Sequence, residues 1–210
     1  MIKHQKCKIC RRLGEKIFLK GERCSSAKCA MVRRPFAPGQ KAKKRRSALS
    51  EYGKELREKQ KMKKLYGISE SQFKKYVRQV LENRGKTENV ADELINKIES
   101  RLDNVVFRLG WARSRSHAAQ MVSHGHFMVN GRKVDIPSFS VSANDVISIR
   151  AGSKGKSTLK DLSEKMKKYS LPAWLVFDKD KIEGKVTKKP TTGDVQLPAE
   201  IATIFEYYSR

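Results

Sequence analysis

The chain has 210 residues, of which 47 are Lys or Arg and 22 are Asp or Glu, giving a formal net charge of +25 at pH 7. Its length suits one or two domains with real cores, and it contains no apolar run that could form a membrane span or a signal peptide. So large a positive excess opposes compaction through self-repulsion, so a polyanion usually balances it. We expect nucleic acid; an acidic membrane surface and a merely well-solvated surface are the alternatives.

All the cysteines lie near the N-terminus, as Cys7, Cys10, Cys24 and Cys29. Two residues separate the first pair on one tight turn, and a loop leads to the second pair, a spacing typical of zinc held by four thiolates. We expect a cytosolic protein with reduced thiols, which disfavours two disulfides. An iron–sulfur cluster and four unrelated thiols are the remaining alternatives. Four ligands leave no open position, so the zinc would be structural and would hold together a segment too small for its own core.

Basic residues flank the cysteines and continue through an irregular tract, residues 31–48. Pro35, Pro38 and Gly39 interrupt regular structure there, and the neighbouring cations repel one another. We expect an anionic partner to order the tract. The cations of residues 1–48 that we predict to contact phosphates are Arg11, Arg12, Arg23, Arg33, Arg34, Lys43, Lys44, Arg45 and Arg46.

Helices are predicted after the tract. EYGKELREKQKMKKLYG, which begins at Glu51, indicates a helix with a heavily cationic outer face. Ser69 stands three residues before Gln72, a capping-box spacing, and apolar residues from Phe73 to Leu81 follow at helical period. The residues of the first helix that we predict to bind nucleic acid are Tyr52, Arg57, Lys61, Lys63 and Lys64.

A second apolar stripe runs through residues 90–109. Ser100 with Asp103 three residues later indicates a new helix cap, which would divide the stripe into two helices, and Gly110 ends it. A short helix is predicted from about Ser114, with Gly125 as a left-handed C-cap.

The apolar period then becomes that of strands. Residues 127–129 and 133–136 flank Asn130-Gly131, a strong tight-turn signal, and residues 146–149 form a further strand. Residues 151–169 are rich in Lys, Ser and Gly and contain one weak helix. LPAWLVFD and KIEGKVTKK predict another strand pair, and Pro198 occupies the first turn of a closing amphipathic helix.

The order of these elements predicts an α+β fold in which a mixed unit is inserted into a helical domain. We place the zinc knuckle and its basic extension at residues 1–48. The helical domain covers residues 49–98 and is completed by residues 191–210. The inserted domain, with a small and mainly antiparallel sheet, covers residues 99–190.

Part of the inserted domain resembles a known RNA-binding module. The module was first defined in small-subunit ribosomal protein four, and it also occurs attached to pseudouridine synthases, a tyrosyl-tRNA synthetase and a heat-shock protein. Alone it implies only binding to structured RNA. The residues that carry the resemblance are Arg101-Leu102-Asp103, Ala112-Arg113-Ser114-Arg115, Ala119-Gln120-Met121-Val122 and Val129-Asn130-Gly131.

The resemblance extends over nearly the whole chain. LKGERC, KCAMVRRP, YGKELREKQKMKKLYGISESQF, PAWLVFD and EYYSR are similar to bacterial members of the ribosomal protein four family itself. This implies a non-enzymatic structural constituent of the small ribosomal subunit, a primary binder of 16S rRNA that helps nucleate subunit assembly. It further implies contact with small-subunit ribosomal protein five, a place near the channel where messenger RNA enters, and an influence on decoding accuracy.

Other functions are weighed against this one. An RNA-modifying enzyme that carries the module would normally need roughly 150 further residues for its catalytic domain. A free assembly or stress factor that visits ribosomes is the second alternative. Neither a membrane nor a small-molecule substrate is expected as a partner.

Several residues of the module are predicted to contact RNA, and for some of them a purely structural role is the alternative. Arg113 and Arg115 stand at a helix start, where side-chain charge and free N–H groups can meet phosphate, or they form a solvated basic turn. Arg101 either contacts RNA or pairs with Asp103. Trp111 and Phe127 are expected in the core rather than stacked on bases. The other residues of the module predicted to bind RNA are His117, Gln120, His124, His126, Asn130, Arg132 and Lys133.

Overall fold

The structure of the protein, a computed structural model, describes residues 6–39, 48–85, 89–153, 169–178 and 181–209. The chain forms two compact units, the first comprising Met1–Glu82 with Leu197–Arg210 and the second Asn83–Gln196. Helices occur in both units and an antiparallel sheet lies in the second, which confirms the predicted α+β class.

The helices and strands follow one another in this order. The helices are α1 (Lys6–Leu13), α2 (Glu22–Ser25), α3 (Ala30–Arg33), α4 (Glu51–Tyr66), α5 (Glu70–Glu82), α6 (Val90–Glu99), α7 (Leu102–Arg108), α8 (Arg115–Ser123) and α9 (Ile201–Ser209). The strands are β1 (Phe127–Val129), β2 (Arg132–Lys133), β3 (Val146–Ile149), β4 (Leu175–Asp178) and β5 (Glu183–Val186). Among the helices of the described residues, none has the length and apolarity needed to cross a bilayer.

Helices α4, α5 and α9 pack together in the first unit, which also contains α1, α2 and α3. The Ser69 hydroxyl accepts a hydrogen bond from the backbone N–H of Gln72 at 3.3 Å, so the predicted cap of α5 is confirmed. Phe73 and Val77 on its inner face are fully buried, and α9 packs against α4 with Ile204 buried. Helix α9 begins at Ile201, so Pro198 precedes the helix instead of occupying its first turn.

The Glu70 carboxylate ties these helices together. It accepts hydrogen bonds from Lys59 Nζ at 2.8 Å and Lys63 Nζ at 2.6 Å, both in α4, and from the Tyr208 hydroxyl of α9 at 3.0 Å. Burial alone would raise the pKa of this carboxyl, but the three hydrogen bonds outweigh it and lower the pKa to about 2. The Nζ of Lys59 also lies 4.2 Å from the ring centroid of Tyr207, a cation–π contact with α9.

The second unit packs α6, α7 and α8 with a sheet of strand order β2-β1-β3-β5-β4, antiparallel throughout. Trp111 and Phe127 lie in its core with ring centroids 5.8 Å apart, as predicted, and Trp174 is fully buried beside them. Strand β5 passes close to α7, since a Cβ on Gly184 would fall 2.5 Å from Leu109 Cδ1. The predicted β4–β5 pair is confirmed. Gly184 is required in β5 because the backbone approaches Leu109 too closely for a side chain.

The break between α6 and α7 occurs where predicted, but with different capping. Ser100 does not cap α7; its hydroxyl donates to Asn96 Oδ1 at 2.9 Å, and Arg101 stands at the N-cap without a side-chain cap. The free N–H groups of Leu102 and Asp103 instead donate to the carbonyls of Phe139 and Pro137 at 2.8 and 3.1 Å. The chain after β2 therefore caps α7, which is why β2 ends at Lys133 and the predicted strand 133–136 is wrong beyond it.

The hairpin between β1 and β2 turns at Asn130 and Gly131, whose φ values of 49° and 78° are both left-handed. This is the conformation that a two-residue hairpin with right-handed strand twist requires, and the Asn-Gly prediction is confirmed. The weak helix predicted within residues 151–169 lies mostly outside the described residues; a 3-10 turn occupies Ala151–Ser153.

The boundary between the units differs from the predicted domain boundary. Helix α6 lies in the second unit, whereas the sequence placed it in the helical domain. Its Asp92 carboxylate accepts hydrogen bonds from the Thr192 backbone N–H and hydroxyl, each at 2.7 Å. These bonds attach α6 to the 3-10 turn Thr192–Asp194 of the same unit.

We expect Glu70→Gln to destabilise the first unit in a pH-dependent way. The Glu70 side chain is 45% exposed, so solvent screens its bonds and the loss at pH 7 should be about 1 kcal/mol. The folded pKa is about 2 against a usual 4.5, so the stabilisation is present above pH 4.5 and disappears as the pH falls towards 2. Urea unfolding of both proteins across this range measures it. Glu82→Gln, at the exposed end of α5, is the control; a difference from wild type that does not depend on pH would contradict the assignment.

Candidate nucleic-acid interface

The four cysteines gather within the first unit. Cys7 and Cys10 lie one turn apart in α1 rather than on a tight turn, Cys24 lies in α2, and Cys29 is the N-cap of α3. All four are free thiols, and all but Cys7 are buried. The backbone N–H of Lys20 donates to Cys24 Sγ at 3.4 Å.

The thiols influence one another. Burial raises the pKa of the Cys10 thiol, the backbone N–H of Ile17 opposes this, and the charges of Cys24, Cys7 and Cys29 raise the pKa further. Four cysteine sulfurs are nevertheless a donor set that zinc accepts. The coordination geometry is not formed, since no group of three or more His, Cys, Asp or Glu side chains within the described residues is arranged to hold a metal ion.

Among the described arginines around the cysteines, Arg11 is half-buried and makes contacts within the fold, and the others are exposed. Arg11 Nε donates to the carbonyl of Phe36 at 2.9 Å, and its guanidinium lies 5.3 Å from the Phe36 ring centroid. Arg11 thus fastens the residues after α3 to α1. Arg12, Arg23, Arg33 and Arg34 are exposed. Lys43, Lys44, Arg45 and Arg46 lie outside the described residues.

The prediction of a cationic outer face on α4 is wrong for two lysines, which are buried. Lys61 is buried and pairs with Glu15 at 2.9 Å and with Glu58 at 2.7 Å, and Lys63 is buried against Glu70. Their carboxylate partners, which lie just after α1 and on α4 and α5, draw these ammonium groups inward. Lys61 and Lys63 therefore serve the fold rather than an exposed surface.

The remaining residues predicted on α4 occupy different surroundings. Tyr52 is exposed, with its hydroxyl 3.4 Å from that of Tyr207. Arg57 donates to the backbone carbonyl of Leu13 at the end of α1. Lys64 is half-buried.

In the second unit one side of α8 is polar and exposed. The Ser114 hydroxyl caps the helix by accepting from the His117 N–H at 3.3 Å. Arg113 just before the helix, Gln120 within it and His124 at its C-cap are exposed, and the four-residue spacing places Gln120 and His124 on the same side. His117 is half-buried.

The β1–β2 hairpin continues this side. Arg132 and Lys133 are exposed, and the Lys133 side chain crosses Gly125 so closely that a Cβ there would clash with it. Lys133 therefore stands beside the C-cap of α8, where a cation is favourable. Its partner carboxylate, Asp135, is 3.5 Å away. We call Arg113, Gln120, His124, Arg132 and Lys133 together the α8–hairpin face.

Two residues predicted to contact RNA make hydrogen bonds within the unit, one of them buried and the other exposed. His126 is buried, with Nδ1 3.1 Å from the Ser153 hydroxyl. Asn130 is exposed, and its amide joins the turn to β3, since Nδ2 donates to Asp145 at 2.7 Å and Oδ1 accepts from the Val146 N–H at 2.9 Å. His124 and His126 remain neighbours, with ring centroids 5.9 Å apart.

A buried network of charged and amide groups stands behind α8. Arg101 donates to both carboxylate oxygens of Asp103, at 3.0 and 2.7 Å, and both residues are buried, so the ion-pair interpretation of Arg101 is favoured. Burial raises the pKa of Asp103, and Arg101 partly offsets this. Arg115 Nε donates to Asn104 Oδ1 at 2.9 Å, and its guanidinium lies 4.6 Å from the centroid of Phe107.

The network ends on a fully buried carboxylate. Glu99 accepts a hydrogen bond from Asn104 Nδ2 and two from Arg108, at 2.9 and 2.6 Å. Sequence reasoning missed Glu99, Asn104 and Arg108 as supports of the site. The available signal was their position within or beside the apolar stripe, where an unpaired polar group would be costly.

Comparison with known proteins identifies the family. Residues 1–96 match the model of the ribosomal protein S4/S9 N-terminal domain, and residues 100–147 match that of the S4 domain. The chain is 49% identical to small ribosomal subunit protein uS4A of Clostridium novyi (strain NT), over 97% of this chain and 96% of the relative. It is 45% identical to small ribosomal subunit protein uS4 of Thermotoga maritima over the same shares. The chain belongs to the ribosomal protein S4 family.

The family match confirms the resemblance read from the sequence, and it also locates the surface described above. The S4 domain at residues 100–147 contains α7, α8 and the β1–β2 hairpin. It therefore holds the complete α8–hairpin face and most of its supporting network. The N-terminal S4 region, residues 1–96, contains the cysteines and helices α1 to α5.

Proposed function

We propose that the protein is a structural constituent of the small ribosomal subunit and binds 16S rRNA directly. The observation that carries this proposal is the similarity to uS4 proteins over 97% of the chain. A net charge of +25 supports it, because an RNA backbone can neutralise such an excess. As a ribosomal component the protein would reside in the cytoplasm.

The α8–hairpin face is the surface we assign to RNA in the S4 domain. Its cations lie just before α8 and on a hairpin whose turn is formed by Asn130 and Gly131. Such a surface suits phosphates and 2′-hydroxyls across a folded RNA, which proteins read mainly by shape. Gln120 and His124 add hydrogen-bonding groups between the cations at its two ends.

The finer parts of the proposal follow the family. We propose that the protein is a primary rRNA binder that helps nucleate subunit assembly, contacts small-subunit ribosomal protein five, lies near the channel where messenger RNA enters, and influences decoding accuracy. The internal pairing of Lys61, Lys63 and Arg101 supports an early role. It fixes these side chains within each unit before RNA arrives, so less ordering is left for association.

Stoichiometric association with the small subunit tests the proposal. Small subunits from the source cells, washed at high salt, are expected to retain one copy of the chain each. A transient assembly or stress factor would be removed by the wash, and an RNA-modifying enzyme would be present at far less than one copy. Either result would contradict a structural role.

Removing cations from the α8–hairpin face should weaken binding in a salt-dependent manner. We expect Arg113→Ala, Arg132→Ala and Lys133→Ala each to lower the slope of log affinity against log salt by about one phosphate contact, roughly 0.7–0.9. Filter binding to the 5′ domain of 16S rRNA at several salt concentrations measures this. Lys181→Ala, exposed in the β4–β5 turn at the other end of the sheet, is the control. Unchanged slopes in all three variants would exclude this face from the contact.

We also propose that Cys7, Cys10, Cys24 and Cys29 hold one structural zinc ion. Four reduced thiols in one small region and an N–H donor to sulfur support this, since such donors stabilise thiolates. Zinc would draw the sulfurs into a tetrahedron and hold α1, α2 and α3 together.

Elemental analysis tests the metal. Protein purified without chelators is expected to contain one zinc per chain, and Cys24→Ser is expected to lose it together with part of the far-UV helical signal. Ser26→Ala, two residues away and exposed, is expected to keep the zinc. Iron and sulfide in place of zinc, or a fold unaffected by chelation, would contradict the proposal.

A further inference from the structure

Helices α1 and α4 enclose a cleft of about 240 Å³ in the first unit. Each helix contributes side chains one turn apart along its length. The residues that line the cleft are Lys8, Ile9, Arg12 and Leu13 of α1 and Gln60 and Lys64 of α4.

Contacts outside the cleft hold its two helices together. Arg57 donates to the backbone carbonyl of Leu13, and Lys61 pairs with Glu15 at 2.9 Å just beyond the end of α1. Arg57 and Lys61 are one turn apart on α4, as are Gln60 and Lys64, so one pair holds α1 while the other lines the cleft. The cleft is therefore formed before any ligand arrives.

The lining combines three kinds of chemistry. Ile9 and Leu13 provide an apolar surface, and Gln60 provides an amide that can both donate and accept. The three remaining residues are cations, and among the residues that the structure describes no carboxylate lines the cleft. A ligand that matches these groups has an apolar ring face for Ile9 and Leu13, a hydrogen-bonding ring edge for Gln60 and a phosphate for the cations. A nucleotide combines all three parts.

We propose that this cleft binds one unpaired nucleotide of RNA, with its base against Ile9 and Leu13 and its phosphate among Lys8, Arg12 and Lys64. The inference rests on the proposed function, because rRNA supplies the nucleotide. Proteins usually recognise single-stranded parts of RNA by holding unstacked bases against side-chain faces, most often aromatic or Arg, and bonding their edges. Here Ile9 and Leu13 supply the face and Gln60 the edge contact.

A second cavity of the same unit, of about 280 Å³, provides a contrast. Lys74, Arg78, Leu81, Glu82 and Tyr208 line it. Its Glu82 carboxylate disfavours an anion, and the Tyr208 hydroxyl already donates to Glu70. Two cavities of similar size thus differ in charge, and only the α1–α4 cleft suits a phosphate.

Methyl NMR of the full-length protein tests the proposal. Titration with AMP is expected to shift the Ile9 and Leu13 methyl signals saturably through the ring current of the base. Ribose 5-phosphate and inorganic phosphate are expected to leave these methyls nearly unshifted. Equal methyl shifts from ribose 5-phosphate, or from the acidic apolar dipeptide N-acetyl-leucyl-glutamate, would overturn the nucleotide assignment, as would no saturable shift with AMP.

A variant that fills the cleft gives a second readout. We expect Gln60→Trp to abolish the AMP response and to weaken binding to the 5′ domain of 16S rRNA about tenfold, the effect of losing roughly one base contact. Gln79→Trp, at another half-buried glutamine of the first unit, is the matched control and should keep both. Equal effects of the two variants would overturn the assignment.

The outcomes separate this inference from the proposed function. If wild-type protein binds rRNA and stays on washed subunits while AMP leaves the Ile9 and Leu13 methyls unshifted, the cleft proposal fails and the ribosomal role stands. If wild-type protein does not bind rRNA, both fail.

Discussion

Electrostatic repulsion within a chain of net charge +25 is the constraint on which the rest of this structure depends. The fold places several of its few carboxylates at points where they hold cations inside. Glu70 holds two lysines of α4 against α5 and α9, and Glu99 holds Arg108 beside α7. Buried and half-buried pairs of this kind contribute little net stability, because desolvation offsets their attraction. Their effect is positional: they determine which cations face inward and which remain on the surface.

The sequence predicted best those features whose causes are local. The Ser69 cap, the left-handed Gly125 after α8 and the Asn130-Gly131 hairpin each depend on residues within one turn, and all three are confirmed. The break after α6 was also located, although Ser100 was given the wrong part in it. The groups that cap α7 come from residues 137–139, far along the chain, and no local pattern indicates them.

The candidate site was predicted only in part for the same reason. Arg113, Gln120 and His124, which were predicted to bind RNA, are exposed near or on α8, a helix that the sequence located from local signals. Lys61 and His126 were not predicted correctly, because their partners, Glu15 and Ser153, are remote in sequence. A lysine in a basic helix has the same local context whether a distant carboxylate draws it inward or not. The direction of a side chain in so basic a protein is therefore a tertiary property.

The buried network connects the interior of the S4 domain to the start of α8. Glu99 is inaccessible to solvent, yet through Asn104 it determines the direction of Arg115, whose guanidinium is further held against Phe107. Immobilising a long side chain costs about 0.5–1.5 kcal/mol on association, so a cation already held in place binds phosphate at lower cost than a free one. If Arg115 contacts phosphate as the sequence predicts, Glu99 and Asn104 would lower the entropic cost of binding without touching RNA. The cations of the α8–hairpin face itself, Arg113, Arg132 and Lys133, would contribute mainly through charge, and salt would weaken their contribution most.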